Sequence, residues 1–461
     1  MNNILQRQVM KSYTGRCPGQ PRNISAWTCL VLLLLMAWPS IGHGATPLTM
    51  QDVKARAVGF NRSYLSALEE VTKAQSDITK ARAGALPHIN LSGSYSRNML
   101  IPSFFVQADD ETIEFKTGFK NNFGASVSLV QSLYQGGKVF SALSIAKLYR
   151  KYATAVAGQV QSEVVYSAEL LFYGAILRRS NLEVLNKAYD AANQNLEVVR
   201  KFFEKGMTSE YELLRAEVEV NNLKPAILAA ESDVRLSKKD LKSFIGIDLS
   251  EEINLVEDVN DTSLAGLKPL AEFTVDALAS RPEMHQADNL LQISGKAVRV
   301  AKGGYLPSVA AVSSYGWQTQ SDAFTLRDNT SKSFTAGINI SVPIFNGGYT
   351  RGDIAMRKAE NNQARLALKQ TEDQVELEVE RAYDRMLQAR KALDLQGTTI
   401  ARAEEGLRIA NLRFETGVGT QLEVLSAQAA LTKARNQLAT ATFMFRKARA
   451  ELKKATTVDI L

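Results

Sequence analysis

Leu133-Tyr134-Gln135-Gly136-Gly137 is written a second time as Ile344-Phe345-Asn346-Gly347-Gly348, and Phe203-Glu204-Lys205-Gly206 as Phe414-Glu415-Thr416-Gly417, both at an offset of 211 residues. The same offset carries Glu212-Leu213-Leu214-Arg215-Ala216 onto Glu423-Val424-Leu425-Ser426-Ala427. Upstream, Ala85-Leu86-Pro87 maps onto Tyr305-Leu306-Pro307 at 220, so nine residues are lost between the anchors, in the loop that separates them. A repeat of this kind means that one supersecondary unit occurs twice with one architecture. The chain reads as two repeats, 46–265 and 266–461, behind a leader at 1–45.

Each repeat opens with a helical stretch that ends at its Leu-Pro pair, Asp52 to Leu86 and Val275 to Leu306. Strands follow. Ile89, Leu91, Gly93 and Tyr95 alternate with polar residues, as do Phe123, Ala125, Val127 and Leu129, and in the second repeat Phe334, Ala336, Ile338, Ile340, Val342 and Ile344. The fourth strand, about Ser308 to Gln318, is the least regular. Period-two runs of ten to twelve residues have the length that a tilted strand needs to cross a bilayer. The spacing predicts β-hairpins over 88–134 and 308–345, with the polar stretches from Met99 to Asn121 and from Thr319 to Ser331 as their loops.

After each Gly-Gly pair the apolar period lengthens to three and a half. Leu182, Leu185, Tyr189, Ala192, Leu196, Val199 and Phe203 step by threes and fours; so do Val379, Ala382, Met386, Ala389, Leu393, Gln396, Ile400, Ala403, Leu407, Ala410 and Phe414. These are coiled-coil seams. They predict long helices at 138–205 and 349–416, tip segments at 206–216 and 417–427, and returning helices at 213–245 and 420–455. A 68-residue helix would reach roughly 100 Å and has no core of its own, so the returning helix must cover it.

Composition narrows the class. Residues 1–45 carry Arg7, Lys11, Arg16 and Arg22 and no acid, then an apolar run from about Trp27 to Trp38, then Gly42, Gly44 and Ala45, the pattern of a secretory signal peptide. Both cysteines, Cys17 and Cys29, fall inside it, so a mature chain has no thiol chemistry. The four leader cations are more than half of the formal +7, and the remainder of about +3 is too small for nucleic-acid binding. No second apolar run is long enough for a membrane-spanning helix, so any membrane passage must be made by strands. No enzyme motif is present: His88 and His285 have no metal partner nearby, and phosphate loops, zinc-protease helices and nucleophile elbows are missing. No catalytic residue, metal or cofactor is expected.

Four strands cannot span a bilayer as an open sheet, because edge amides and carbonyls would face hydrocarbon. Closure must come from sister chains. Eight strands would fill their interior with side chains, whereas twelve or sixteen would enclose water; periodicity does not choose among these. The fold class is α+β membrane protein: a long antiparallel coiled-coil barrel plus four β-strands per chain in two internal repeats.

The whole mature chain resembles the TolC family of outer-membrane efflux proteins. The resemblance is carried by Leu86-Pro87 and Leu306-Pro307, by Val342-Pro343-Ile344-Phe345-Asn346-Gly347-Gly348, and by Gly417-Val418-Gly419-Thr420-Gln421-Leu422-Glu423-Val424-Leu425-Ser426-Ala427. It implies a homotrimer with a twelve-stranded barrel in outer-membrane lipid and a helical tunnel through the periplasm. It also implies a collar that includes Gly246 to Ala271 and the C-terminal residues. The implied function is passive export, as the outer channel of a tripartite multidrug efflux pump or a type I secretion system. The implied partners are a periplasmic adaptor (membrane fusion protein) and, through it, an inner-membrane pump or ABC transporter.

The resemblance also assigns candidate residues. Gly206, Gly417 and Gly419 make the tip turns, and Glu423, Ser426 and Glu212 stand at the entrance constriction; independently of the resemblance, Arg215 beside them is placed to pair with a neighbouring glutamate and help lock the tip. Ser426 occupies a position where some members carry a second carboxylate. The family's Asn-Pro pair is Asn61-Arg62 in the first repeat and Arg281-Pro282 in the second. Read without the family, Gly206 and Gly417 are helix C-caps, and Glu212 and Glu423 are solvated helix carboxylates. Gly136, Gly137, Gly347 and Gly348 relax the backbone where strand becomes helix. Two rivals stand beside the duct. A non-conducting trimeric coiled-coil or surface protein accounts for the heptads but not for four strands split between repeats, and a soluble periplasmic scaffold would need no detergent.

Overall fold

The computed structural model describes residues 46–108, 111–257 and 268–457; the leader, its cysteines and much of the collar lie outside these. In chain order come β1 (Thr46–Leu48), α1 (Met50–Phe60), α2 (Arg62–Ala83), β2 (His88–Arg97), β3 (Ser103–Ala108), β4 (Glu111–Lys116), β5 (Asn121–Gln135), α3 (Lys138–Glu204), α4 (Glu210–Ile245) and β6 (Ile253–Leu255). The second repeat supplies α5 (Leu270–Ser280), α6 (Pro282–Lys302), a 3-10 turn (Gly303–Tyr305), β7 (Ser308–Ser321), β8 (Thr330–Ser341), α7 (Tyr349–Glu415) and α8 (Gln421–Thr456). Helices α3 and α7 are both 67 residues long and α4 and α8 both 36. Every one of their boundaries is displaced by the same 211 residues.

Two elements differ from the sequence expectation. The opening helical stretch of each repeat is two helices, broken at Asn61 and at Arg281, where the backbone turns extended (φ −68, ψ 121 and φ −65, ψ 134). Asn61 then caps α2, its Oδ1 accepting from the amides of Ser63 at 3.0 Å and Tyr64 at 3.4 Å. Pro282 starts α6 at the position where a missing N–H costs nothing. The last strand stops at Ser341 rather than Ile344 or Phe345, since Pro343 has no N–H to give a ladder.

The four long strands form one antiparallel sheet in the order β2-β5-β7-β8, with the repeats joined in its middle by β5 and β7. The long first loop carries a small hairpin of its own, β3 with β4. Strand β6 of the collar region pairs with β1.

Burial follows the heptads. In α7 the buried or half-buried positions include Val375, Val379, Ala382, Met386, Leu393, Gln396, Ile400, Ala403, Leu407 and Ala410, with exposed residues on the opposite side. Helix α3 lies against α4 and α8, and α7 against α8, so four helices form a wall below the middle of the molecule; α2 and α6 take the places of α4 and α8 above it. Twin cores sit where these sets meet. Val164, Ala168 and Leu241 anchor one, and their repeat equivalents Val375, Val379 and Leu452 anchor the other. Polar ties join the repeats: Tyr166 donates to Glu451 at 3.1 Å, Lys454 pairs with Glu163, and Arg446 pairs with Glu257 while covering the Tyr173 ring at 4.8 Å.

Candidate functional site: a two-faced sheet and paired helical tips

Register sorts the sheet into two faces. Leu91, Val127, Tyr315 and Phe334 lie in one cross-strand row, and Ile89, Leu129, Ser313 and Ala336 in the next row on the same face. The other face reads Asn90, Ser128, Ser314, Thr335 and then Ser92, Ser126, Gly316, Ser333. It is hollowed into a cavity of about 430 Å³, lined by Ser92, Ser94, Ser126, Gln318 and Ser333 among others. A Cβ on Gly124 of this face would stand 2.9 Å from Ser94 Oγ, so a side chain there would have to turn the Ser94 hydroxyl aside. The apolar face has no protein cover, Leu91 being 79% and Phe334 71% exposed. Both edge strands, β2 and β8, are exposed along their whole length.

Aromatics bracket this apolar strip. At the loop end Tyr95 and Phe123 have ring centroids 4.8 Å apart, and Phe324 sets its edge on both, at 5.6 and 5.3 Å. At the helix end Phe140, Tyr305, Phe345 and Tyr349 are exposed. Bands of Tyr, Trp and Phe on both sides of an apolar belt are what bilayer interfaces select. No described helix is long and apolar enough to cross a membrane.

The strand-to-helix junctions use their glycines as expected of left-handed backbone: φ is 61 and 75 at Gly136 and Gly137, 63 and 85 at Gly347 and Gly348. Gly136 also meets Gly303 so closely that a Cβ would stand 2.5 Å from the Gly303 carbonyl oxygen.

At the far end of the hairpins Gly206 (φ 68) and Gly417 (φ 76) end α3 and α7. The amide of Met207 reaches the Phe202 carbonyl at 2.8 Å and that of Val418 the Arg413 carbonyl at 3.0 Å, closing both turns. Gly419 donates its amide to the Arg413 carbonyl at 2.8 Å, and closeness sets its identity, since a Cβ there would lie 2.8 Å from Arg413 Cβ. Ser209 and Thr420 cap the returning helices by accepting the Glu212 and Glu423 amides at 3.4 and 3.3 Å. Both glutamates thus occupy the third position of their helices, where negative charge is favoured.

Their surroundings differ. Glu423 is exposed, accepts from Arg413 Nε at 3.2 Å, and has exposed Ser426 one turn further on. Glu212 is half-buried with Oε2 shut away from a partner, and Arg215 makes no ion pair among the described residues. The rings of Phe202 and Phe414, 5.6 Å apart, hold the two tips side by side.

Sequence reasoning missed two features here. Arg413 hides one helix away from its partner. Met207, Tyr211, Val418 and Leu422 leave apolar surface exposed on both tips, and their only signal was an apolar side chain off the seam. Among the described residues no three His, Cys, Asp or Glu side chains gather to hold a metal.

The comparisons agree with this geometry. The family model described as outer membrane efflux protein matches residues 56–247 and 274–457. The chain is 22% identical over 404 residues to outer membrane protein TolC of Vibrio cholerae, covering 86% of this chain and 87% of that one. It is 25% identical over 256 residues to the outer membrane efflux protein BepC of Brucella suis, covering 55% of this chain and about half, 53%, of that relative. The crystal structure of the outer membrane protein VceC of Vibrio cholerae superposes with a TM-score of 0.73 at 17% identity, covering 89% and 97% of the two chains, which shows a shared fold. With both repeats matched and the same two-part architecture found, the chain belongs to the outer membrane efflux protein family.

Proposed function

We propose that this protein is one third of a passive outer-membrane exit duct, the outer component of a tripartite efflux pump or a type I secretion system. One observation carries the reading: a four-stranded sheet with one apolar face, one hydroxyl and amide face, and two open edges. Alone in a bilayer it would leave its edge groups unpaired at several kcal/mol each. Three copies joined β8 to β2 make a closed ring of twelve strands around water, with its apolar side in lipid. The glycine junction supports such a neighbour: Gly136 is filled by Gly303 of the other repeat, while its equivalent Gly347 is open. Purified trimers should give unitary conductance steps in planar lipid bilayers; a non-conducting stalk would give none, and that result would sink the proposal.

In the trimer six near-equivalent helical hairpins converge in the periplasm. Glu423, Ser426, Glu212 and Arg215 then restrict the entrance, and a periplasmic adaptor and its inner-membrane pump engage the hairpin ends. The exposed Glu423 and the apolar tips motivate this assignment. An exposed ion pair such as Arg413–Glu423 contributes only about 0–1 kcal/mol, so closure needs the ring and not one pair. Glu423→Ala should raise single-channel conductance or weaken block by multivalent cations, and a variant unchanged in both would remove Glu423 from the constriction. Recovery of an adaptor with the assembled complex tests the partner assignment.

A further inference from the structure

The only Asp, Glu, Lys or Arg side chains on the four long strands are Arg97 and Lys332, and both are on the apolar face. Arg97 follows Tyr95 on the lipid-facing alternation of β2. Lys332 precedes Phe334 on that of β8, opposite Trp317. These are the two edge strands, so inside one chain the cations lie three strands apart. We propose that Arg97 of one subunit and Lys332 of the next together bind the phosphate-bearing headgroup of an outer-leaflet lipid, one site at each of the three subunit seams. The inference rests on the trimeric barrel proposed above.

Height and register both support the convergence. Arg97 stands nine residues from the helix end of β2 at His88, and Lys332 nine from the helix end of β8 at Ser341. Nine residues at about 3.3 Å each, tilted by about 40°, rise roughly 23 Å, close to the height of the apolar band of such barrels. By register Arg97 lies two residues beyond the Tyr95–Phe123 row and Lys332 two residues inside it, in the row of Gly93, Ala125 and Trp317, so the two cations flank the aromatic belt at the outer rim of the band. The seam register follows from the repeat. Inside the chain Ala125 of β5 faces Trp317 of β7, and the offsets of 211 and 220 turn that pair into Ala336 facing Arg97 of the neighbour. Apolar-face residues meet apolar-face residues, as a barrel requires. Lys332 is then four residues further along β8, about 13 Å at strand spacing, a gap that two long side chains can close over one headgroup.

The chain contains its own control. The same offsets place Asn121 and Trp317 at the seam within one chain, where the neighbour is already supplied and neither residue is charged. On the four long strands, cations occur only at the seam between subunits. Both are exposed, and among the described residues neither has an ion-pair partner. A lipid-facing cation at an interface is satisfied by snorkelling its head to an anionic group.

The test uses the full chain as trimers in non-ionic detergent, with lipid counted by native mass spectrometry and trimer dissociation temperature read on gels. Phosphatidylglycerol micelles should load up to three tightly held lipids and raise the dissociation temperature, while phosphatidylcholine should not. Arg97→Gln or Lys332→Gln should weaken this binding about fivefold and the double variant about thirtyfold. Arg97→Lys, which keeps the charge, and Lys73→Gln on α2 should bind like the parent. Equal lipid retention by parent and double variant would overturn the site, and so would equal protection by inorganic phosphate alone, which would mean an ion site. Failure to form trimers at all would instead remove the barrel reading beneath it.

Discussion

Gly417 shows how much one residue carries when backbone rather than chemistry decides its identity. Its φ of 76 lies where a Cβ crowds the following carbonyl oxygen. Gly417→Ala, and Gly206→Ala in the other tip, should each lower unfolding free energy by about 1 kcal/mol, measurable by denaturant or thermal melts of detergent-solubilised protein. Gly397 is the useful contrast: it lies inside α7 with ordinary φ and open space around its Cα. Gly397→Ala should therefore raise stability by about 0.5–1 kcal/mol, and a loss there would show that the tip effect is not one of backbone conformation. The sequence located both tip glycines through the repeat, but it could not show that Gly419 is needed for closeness to Arg413 while Gly417 is needed for its angle.

Between elements, the breaks and the inter-repeat ties are the informative features. Arg281 is 5% exposed at the α5–α6 break and donates to Glu378 of α7 at 2.6 Å and to Glu283 at 3.2 Å. Arg281→Ala should cost about 1–3 kcal/mol; the figure stays modest because Glu378 is 56% exposed and water can solvate it once unpaired. The Tyr166–Glu451 contact between α3 and α8 carries a pH signature. Burial, then the nearby Glu451 carboxylate, push the Tyr166 phenol up to about 12. The unfolded value is 10.0, so the folded state prefers the neutral phenol. That preference is fully present below pH 10 and is lost as pH rises through about 12. Melting temperature should therefore fall more steeply over this window in the parent than in Tyr166→Phe, and parallel curves would mean that the contact is not coupled to folding. Helical periodicity runs through the breaks at Asn61 and Arg281 and hid them, although local residues mark both, Asn61 as the cap of α2 and Pro282 as the first residue of α6.

At the scale of the molecule, the two-faced sheet predicts an asymmetry between substitutions of identical chemistry. Ile338→Glu puts a carboxylate on the apolar side and Ser126→Glu puts one on the hydroxyl side. The first should cost up to about 2 kcal/mol near the bilayer midplane, less than a lysine or arginine would there, and deplete membrane-inserted trimers. The second should leave trimers intact and shift the channel toward cations, as read from the reversal potential across a salt gradient. Similar trimer loss in both would mean that the faces are assigned the wrong way round.

The sequence by itself determined the repeat, the four long strands and the four long hairpin helices to within a few residues, and which side chains form the seams. These follow from periodicities of two and three and a half and from residues whose backbone preference is local. Tertiary structure alone decided that β5 and β7 join the repeats in mid-sheet, that Arg413 rather than Arg215 faces Glu423, and that Arg97 and Lys332 end on opposite open edges of one face. The physical reason is distance along the chain. Alternation tells a residue which side it takes, but which strand or helix stands beside it is settled by packing between segments some two hundred residues apart.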